Sequence, residues 1–166
     1  RAIDAASVNG EIFINVAGFG FDVDVLEMTR YYKGKIRGRM AYILGLLHAL
    51  LRLRVHRVRV HDGTSCTEEE VLLVAVGNGR FIGGGMQVTP LADPTYGLLD
   101  ICVVNRVRRF GVLRFLLRFI NGRHLDMDFV RYYQAEQLEV DAADGLALQM
   151  DGDICGRMLA ALRVLP

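Results

Sequence analysis

Acidic residues are missing from two long stretches of the sequence, and cysteine is scarce throughout. The three cysteines, Cys66, Cys102 and Cys155, are odd in number and show no CxxC spacing. That excludes a disulfide framework and a structural zinc site, and it fits reduced thiols in a cytosolic protein. No signal peptide is visible, and the longest apolar stretch, Met40 to Leu51, is interrupted by Gly45 and His48. Such a stretch is too short and too broken to span a bilayer. His48, His56, His61 and His124 have no partners at metal-ligand spacing, and no Ser/His/Asp or Cys/His arrangement stands out. With 52% hydrophobic and 23% charged residues, a disordered chain is excluded as well. The 166 residues suit one domain. The first residue is Arg1 rather than Met, so the chain is expected to be a piece of something longer.

What fills the acid-free stretches is basic. Arg30, Lys33, Lys35, Arg37, Arg39, Arg52, Arg54, Arg57 and Arg59 fall between Met28 and His61. Arg106, Arg108, Arg109, Arg114, Arg118 and Arg123 fall between Asp100 and Asp126. The acids gather at Glu68–Glu70 and from Asp126 to Asp153, so a net charge of only +1 hides a strong segregation. Segregation of this kind fits an anionic partner such as phosphates or a membrane surface, and equally a solvated basic face. Nucleic acid is not expected as a partner.

Periodicity gives a β-rich chain. Glu11 to Val16 reads as a short strand closed by Gly18 and Gly20. Ile36, Met40, Ile43, Leu44, Leu47, Leu50 and Leu51 recur at helical spacing, which predicts an amphipathic helix of about four turns. Val58 and Val60 alternate with arginines in a half-exposed strand, Asp62-Gly63 supplies a turn, and Glu70 to Val76 reads as a strand buried on both faces. Gly97 to Val104 returns to strand, and Phe110 to Ile120 is helical with a wide apolar arc. The last forty residues read as a β-meander through Gln137–Val140, Leu146–Met150 and Ala161–Leu165, with turns at Asp144-Gly145 and Gly152. The fold class expected is mainly β (α+β): a two-sheet, mostly antiparallel sandwich with two inserted helices. Both basic helices suit a lipid interface, although an apolar stripe more often packs on the core.

Three segments carry candidate chemistry. The loop Gly77 to Gly85 has five glycines in nine residues but matches neither the P-loop nor GxGxxG. Such a loop is needed wherever backbone closely approaches a ligand or another strand. Asp151-Gly152-Asp153 sets two carboxylates around a tight turn, either a plain hairpin or a general base on a β scaffold. Asp93 and Asp100 flank Pro94 to Leu99, where a carboxylate and turn carbonyls would suit Mg²⁺, or simple turn chemistry.

The runs FINVAGFGFDVDV (Phe13 to Val25), GRMAYILGLL, VAVGNGRFIGGGMQVTPLADPTYGLLDICVV and LQMDGDICGRM occur in one order. Together they resemble the C-terminal half of bacterial diacylglycerol and related lipid kinases, over essentially the whole chain. Sphingosine kinases and, more distantly, NAD kinases share the two-domain plan. The resemblance implies that residues 1–166 form a single substrate-side domain of the NAD kinase/diacylglycerol kinase-like sandwich type. It also implies that the ATP-binding N-terminal domain, with its GGDGT loop, lies outside this chain, so that the fragment alone is inactive. The implied activity is ATP-dependent phosphorylation of a hydroxyl of diacylglycerol or a similar membrane lipid, with ATP and Mg²⁺ as cofactors. Asp153 falls at the family's proton acceptor, where many members have Glu. Gly77, Asn78 and Gly79 would lie near the cofactor cleft. A structural Mg²⁺ would sit at Asp93, Tyr96 and the Leu98 carbonyl, although Tyr96 stands where the family has Asp, and a neutral phenol is a poor hard-cation ligand. The expected setting is cytoplasmic and peripheral on an anionic membrane, and an exposed apolar helix or sheet edge would also suit a homodimer. A non-catalytic lipid- or partner-binding domain of the same fold, or a soluble-substrate kinase related to NAD kinase, are the alternatives.

Overall fold

The computed structural model describes residues 3–36, 39–82, 85–142, 146–158 and 160–165. The chain opens with β1 (Ala5–Val8), β2 (Glu11–Phe13), β3 (Val16–Gly20) and α1 (Phe21–Lys33). It continues through α2 (Arg39–Leu51), β4 (His56–His61), β5 (Cys66–Gly77), β6 (Phe81–Ile82), β7 (Met86–Gln87) and β8 (Leu99–Asn105). It ends with α3 (Arg109–Phe119), β9 (Val130–Ala135), β10 (Gln137–Asp141), β11 (Leu146–Met150), β12 (Asp153–Met158) and β13 (Ala160–Leu165).

The mostly antiparallel β-rich fold is as expected, but among the described residues its layers come from one curled sheet of eleven strands, with β6 and β7 forming a small second sheet. The long strand β5 makes this possible. Its first half pairs with β4 and its second half lies between β3 and β8. Val71, Val74 and Val76 face the interior of the curl together with Leu99, Ile101 and Val103 of β8. Leu73 and Ala75 face the other way, with Cys102 and Val104, under the helices. The apolar run EVLLVAV is the sequence trace of this two-sided burial.

Several elements differ from the sequence reading. Among the described residues there are three helices rather than two. Asp22-Val23-Asp24-Val25 alternates with a period of two, so α1 was hidden behind a strand-like pattern. It starts because Gly20, at φ 88°, turns the chain out of β3. Asp22 and Asp24 in the first turn and Arg30 and Lys33 in the last then complement the helix dipole. The segment Glu11–Val16 is two strands, not one, with a break at Ile14 and Asn15. The C-terminal meander is also incorrect: β10 pairs with β4 and β13, whereas β11 pairs with β12 and β3. Strand β9, absent from the sequence reading, forms the far edge beside β8. The turn expected at Asp144-Gly145 lies outside the described residues.

The break at Ile14 and Asn15 has a side-chain cause. Asp151, at the tip of the β11–β12 hairpin, accepts hydrogen bonds from three successive backbone N–H groups: Ile14 (2.8 Å), Asn15 (2.9 Å) and Val16 (3.0 Å). The Asp151 N–H returns a bond to the Val16 carbonyl at 3.0 Å. Asp151→Ala is expected to lower stability by about 2–4 kcal/mol, because three backbone donors lose a charged acceptor. Asp151→Asn keeps one acceptor and the left-handed backbone preference, so it should lose roughly half as much. Equilibrium urea unfolding measures both, and an alanine variant as stable as the wild type would dismiss this anchoring role.

Candidate functional site

The two carboxylates of Asp151-Gly152-Asp153 have different jobs. Met150 pairs with Asp153 across a two-residue turn whose central residues both have positive φ, 48° at Asp151 and 93° at Gly152. This is type I′ geometry, which Asp-Gly favours. Asp151 is spent on the backbone, as described above. Asp153 stands one residue beyond the turn with its side chain 89% exposed, and one of its oxygens meets Arg30 Nη2 of α1 at 3.0 Å. The sequence reading missed Arg30, and a partner 123 residues away leaves no local signal.

Beside this hairpin lies an apolar cavity of about 390 Å³. Phe21, Val25 and Leu26 of α1, Tyr42 and Leu46 of α2, and Phe115, Leu116 and Phe119 of α3 form its walls. Val16 and Leu73 of the sheet form the floor, and Phe81, Ile82 and Met86 of the small sheet cover one side. Asn15, Gln149, Asp151 and Gly152 supply a polar rim. The cavity therefore runs from hydrocarbon to the acidic hairpin. A site with this division suits an apolar molecule carrying one polar end.

One carboxylate belongs to the cavity wall itself. Asp22 accepts a hydrogen bond from Gln149 Nε2 at 3.1 Å, and burial pushes its carboxyl up to about 7. Gln149 is buried, and its Oε1 accepts the Gly152 N–H at 3.0 Å, so it ties Asp22 to the hairpin turn. Gly18 is required here for space, since a Cβ would lie 2.0 Å from Asp22 Oδ2. Neither Asp22 nor Gln149 was anticipated. The nearest clue was the glycine at 18, read only as a strand terminator.

The outer faces of two cavity helices are also apolar. Of the stripe predicted on α2, Met40, Ile43, Leu47 and Leu51 face outward and Leu44 and Leu50 are half-buried, while Ala41 and Ala49 are buried. On α3, Phe110 (89% exposed), Leu113, Leu117 and Ile120 form an outward stripe next to exposed Arg108, Arg109 and Arg114. The charge segregation seen in sequence is weaker in space. Arg57 lies between Glu68 and Glu70, Arg106 meets Glu70, Arg118 meets Asp126, and Arg131 meets Glu69. Among the described residues no helix is long and apolar enough to cross a membrane.

The other candidates are placed apart from the hairpin. Asn78 is buried, and its Nδ2 donates to the carbonyls of Asp4 and Ile14, both at 2.9 Å. Gly77 lies against Thr89, whose hydroxyl donates to the Gly79 carbonyl at 2.8 Å. The Gly77-Asn78-Gly79 loop is thus packed into the fold, with the Asn78 side-chain N–H groups committed to those carbonyls. In the 93–98 segment, Asp93 Oδ1 is held by the Thr95 hydroxyl at 2.7 Å. Tyr96 turns its hydroxyl to Asp100 Oδ2 at 2.6 Å, and burial raises that phenol to about 12. A neutral, committed phenol supplies no anionic oxygen, so Tyr96 does not fit as a Mg²⁺ ligand, and Asp93 is left as the one carboxylate of the predicted set of Asp93, Tyr96 and Leu98. Among the described residues no group of three or more His, Cys, Asp or Glu could hold a metal.

Known proteins resemble this chain in sequence and fold. The family model for the YegS C-terminal NAD kinase beta sandwich-like domain matches residues 15–166. The Pseudomonas aeruginosa (strain UCBPP-PA14) protein named Probable lipid kinase YegS-like is 35% identical over 154 residues, covering 92% of this chain and 50% of that protein. A Mycobacterium tuberculosis (strain H37Rv) diacylglycerol kinase is 33% identical over 155 residues, covering 93% and 50%. A crystal structure of a diacylglycerol kinase from Bacillus anthracis str. Sterne superposes with a TM-score of 0.69 at 20% identity, covering 99% of this chain and 51% of that one. The chain spans about half the length of the curated relatives it matches.

The raised Asp22 carboxyl has a stability consequence. Its folded value of about 7 exceeds the unfolded value, so the native state holds a proton that the unfolded state releases. Stability is therefore lost as pH rises from about 4 to 7. Asp22→Asn should remove this loss, gaining on the order of 2 kcal/mol over the wild type at pH 8 and almost nothing at pH 4. Thermal unfolding of both proteins across this range checks it, and parallel pH profiles would rule it out.

Proposed function

The chain belongs to the YegS C-terminal NAD kinase beta sandwich-like domain family, and from that premise we propose that it is the acceptor-side half of an ATP-dependent lipid kinase. The substrate class is diacylglycerol or a similar membrane lipid with a free hydroxyl. One observation carries the reading: an apolar cavity of about 390 Å³ ends at a polar rim, with an exposed carboxylate one residue beyond it. An acyl chain suits the hydrocarbon walls, and the lipid hydroxyl would then be offered at the hairpin, beside Asp153.

Asp153 is the proposed general base. Its free carboxylate oxygen would take the hydroxyl proton as the lipid oxygen forms a bond to the γ-phosphorus of ATP, while the bond from that phosphorus to the bridging oxygen breaks and ADP leaves. Arg30, already 3.0 Å from the carboxylate, keeps positive charge beside it. The family names support use of ATP, and we assign most of the ATP site to the part of the protein outside this chain. Any contribution of Gly77 and Gly79 to nucleotide binding would come from backbone groups, since the Asn78 side-chain N–H groups are bonded to Asp4 and Ile14. No step is assigned to Mg²⁺ at Asp93, Tyr96 and Leu98.

The outward apolar stripes suit a membrane surface. The helices that line the cavity also present Ile43, Leu47, Phe110 and Leu117 outward, next to arginines that would attract anionic lipid. A lipid chain could thus pass from the bilayer to the cavity along one apolar path.

The test uses the full-length protein, ATP and vesicles of phosphatidylcholine, phosphatidylglycerol and diacylglycerol. Asp153→Asn should reduce kcat about 100-fold or more with an unchanged unfolding midpoint; near-normal turnover would remove Asp153 from the chemistry. The double variant Phe110→Glu, Leu117→Glu should bind these vesicles roughly tenfold more weakly without changing the mass measured in solution. A shift from dimer to monomer would instead assign the stripe to self-association.

A further inference from the structure

Asp100 is fully buried at the start of β8, with three side chains around its carboxylate. Tyr96 Oη donates to Oδ2 at 2.6 Å, and Tyr132 Oη donates to Oδ1 at 2.8 Å. Gln134 Nε2 lies 3.2 Å from Oδ1 and also donates to Tyr96 Oη at 2.8 Å. The sheet register sets this up, since Asp100 pairs directly with Gln134 and Cys102 with Tyr132. A carboxylate without partners in such a place is costly. It can be compensated by a cation or by hydrogen-bond donors, and here the donors already surround it.

The loop between Asp93 and Leu99 is closed by the same means. Asp4 N–H donates to the Pro94 carbonyl at 2.7 Å, and Gly97 N–H donates to Asp4 Oδ2 at 2.8 Å. The Asp4 carbonyl then accepts from Asn78 Nδ2, which also bonds the Ile14 carbonyl, and Ile14 N–H donates to Asp151. A continuous chain of hydrogen bonds therefore runs from the loop to the acidic hairpin. Tyr96 both donates to Asp100 and accepts from Gln134, so its oxygen has no free role as a metal ligand.

We infer that the Tyr96–Asp100–Tyr132–Gln134 hydrogen-bond network holds the 93–98 loop in place of a divalent cation, so that this loop and the hairpin linked to it keep their shape without Mg²⁺. The inference stands apart from the kinase reading, because it is read out in stability and not in turnover.

Thermal unfolding of this chain in EDTA and in millimolar MgCl₂ or CaCl₂ is the test. The wild-type midpoint should stay within about 1 °C across all conditions. Tyr96→Phe removes the donor to Asp100 and should lower the midpoint by roughly 3–8 °C, equally with and without the cations. Tyr96→Asp puts a second carboxylate beside Asp100; it should be destabilised in EDTA and recover on addition of Mg²⁺. A saturable, cation-dependent rise in the wild-type midpoint would overturn the inference, and so would a Tyr96→Phe protein as stable as the wild type. Should the phenylalanine variant fail to fold, the wild-type titration decides the question by itself.

Discussion

The structure depends on one carboxylate binding three backbone amides. Asp151 joins the tip of the β11–β12 hairpin to the junction of β2 and β3. Because the hairpin is held there, Gln149 reaches both Asp22 and the Gly152 N–H, and Asp153 projects just past the turn next to α1. Remove that clasp and the polar rim of the cavity has no fixed position. The catalytic proposal for Asp153 therefore rests on a neighbour that does no chemistry. Two acids separated by a single glycine are divided by what surrounds them into one bound to backbone amides and one left exposed beside Arg30.

Much of this was legible from sequence, and what was not has a physical reason. Strand β5 was readable because two-sided burial leaves a continuous apolar run. The Asp-Gly turn was readable because its left-handed backbone demands those residues. Helix α1 was not, since Asp22-Val23-Asp24-Val25 has the period of a strand and the helix is set by the turn at Gly20. The order of the C-terminal strands was also hidden. Local pattern shows that Gln137–Val140 and Leu146–Met150 are extended, but β10 finds β4 and β11 finds β3 through contacts that no short window contains. The site was half visible. Asp153 stood in a motif, whereas Asp22, Gln149 and Arg30 have meaning only once distant segments meet.

Helix α2 shows why apolar spacing alone misleads. Its apolar residues cover the whole circumference, so most of the predicted stripe, Met40, Ile43, Leu47 and Leu51, is left outside, and Leu44 and Leu50 are half-buried. Small residues lie inside instead. Gly45 abuts Thr29 of α1, so closely that a Cβ there would fall 2.5 Å from its hydroxyl. The two helices approach through small residues, and the large ones are free to line the cavity or face outward. Charge behaved in a similar way: arginines that looked like a basic block on β4 are matched across the sheet by Glu68 and Glu70.

Strand β1 lies between β2 and β13 in the curled sheet, with Ala5 opposite Leu165. During synthesis β1 can pair with β2 at once, but its other edge has no partner until β13 has been made. Until then the inner face of the curl, including Ala6 and Val8, stays open to water and to other chains. Contacts this far apart in sequence make slow closure and a long exposure to aggregation the default for the nascent domain. The demand on cellular chaperones is thus written into which two strands meet.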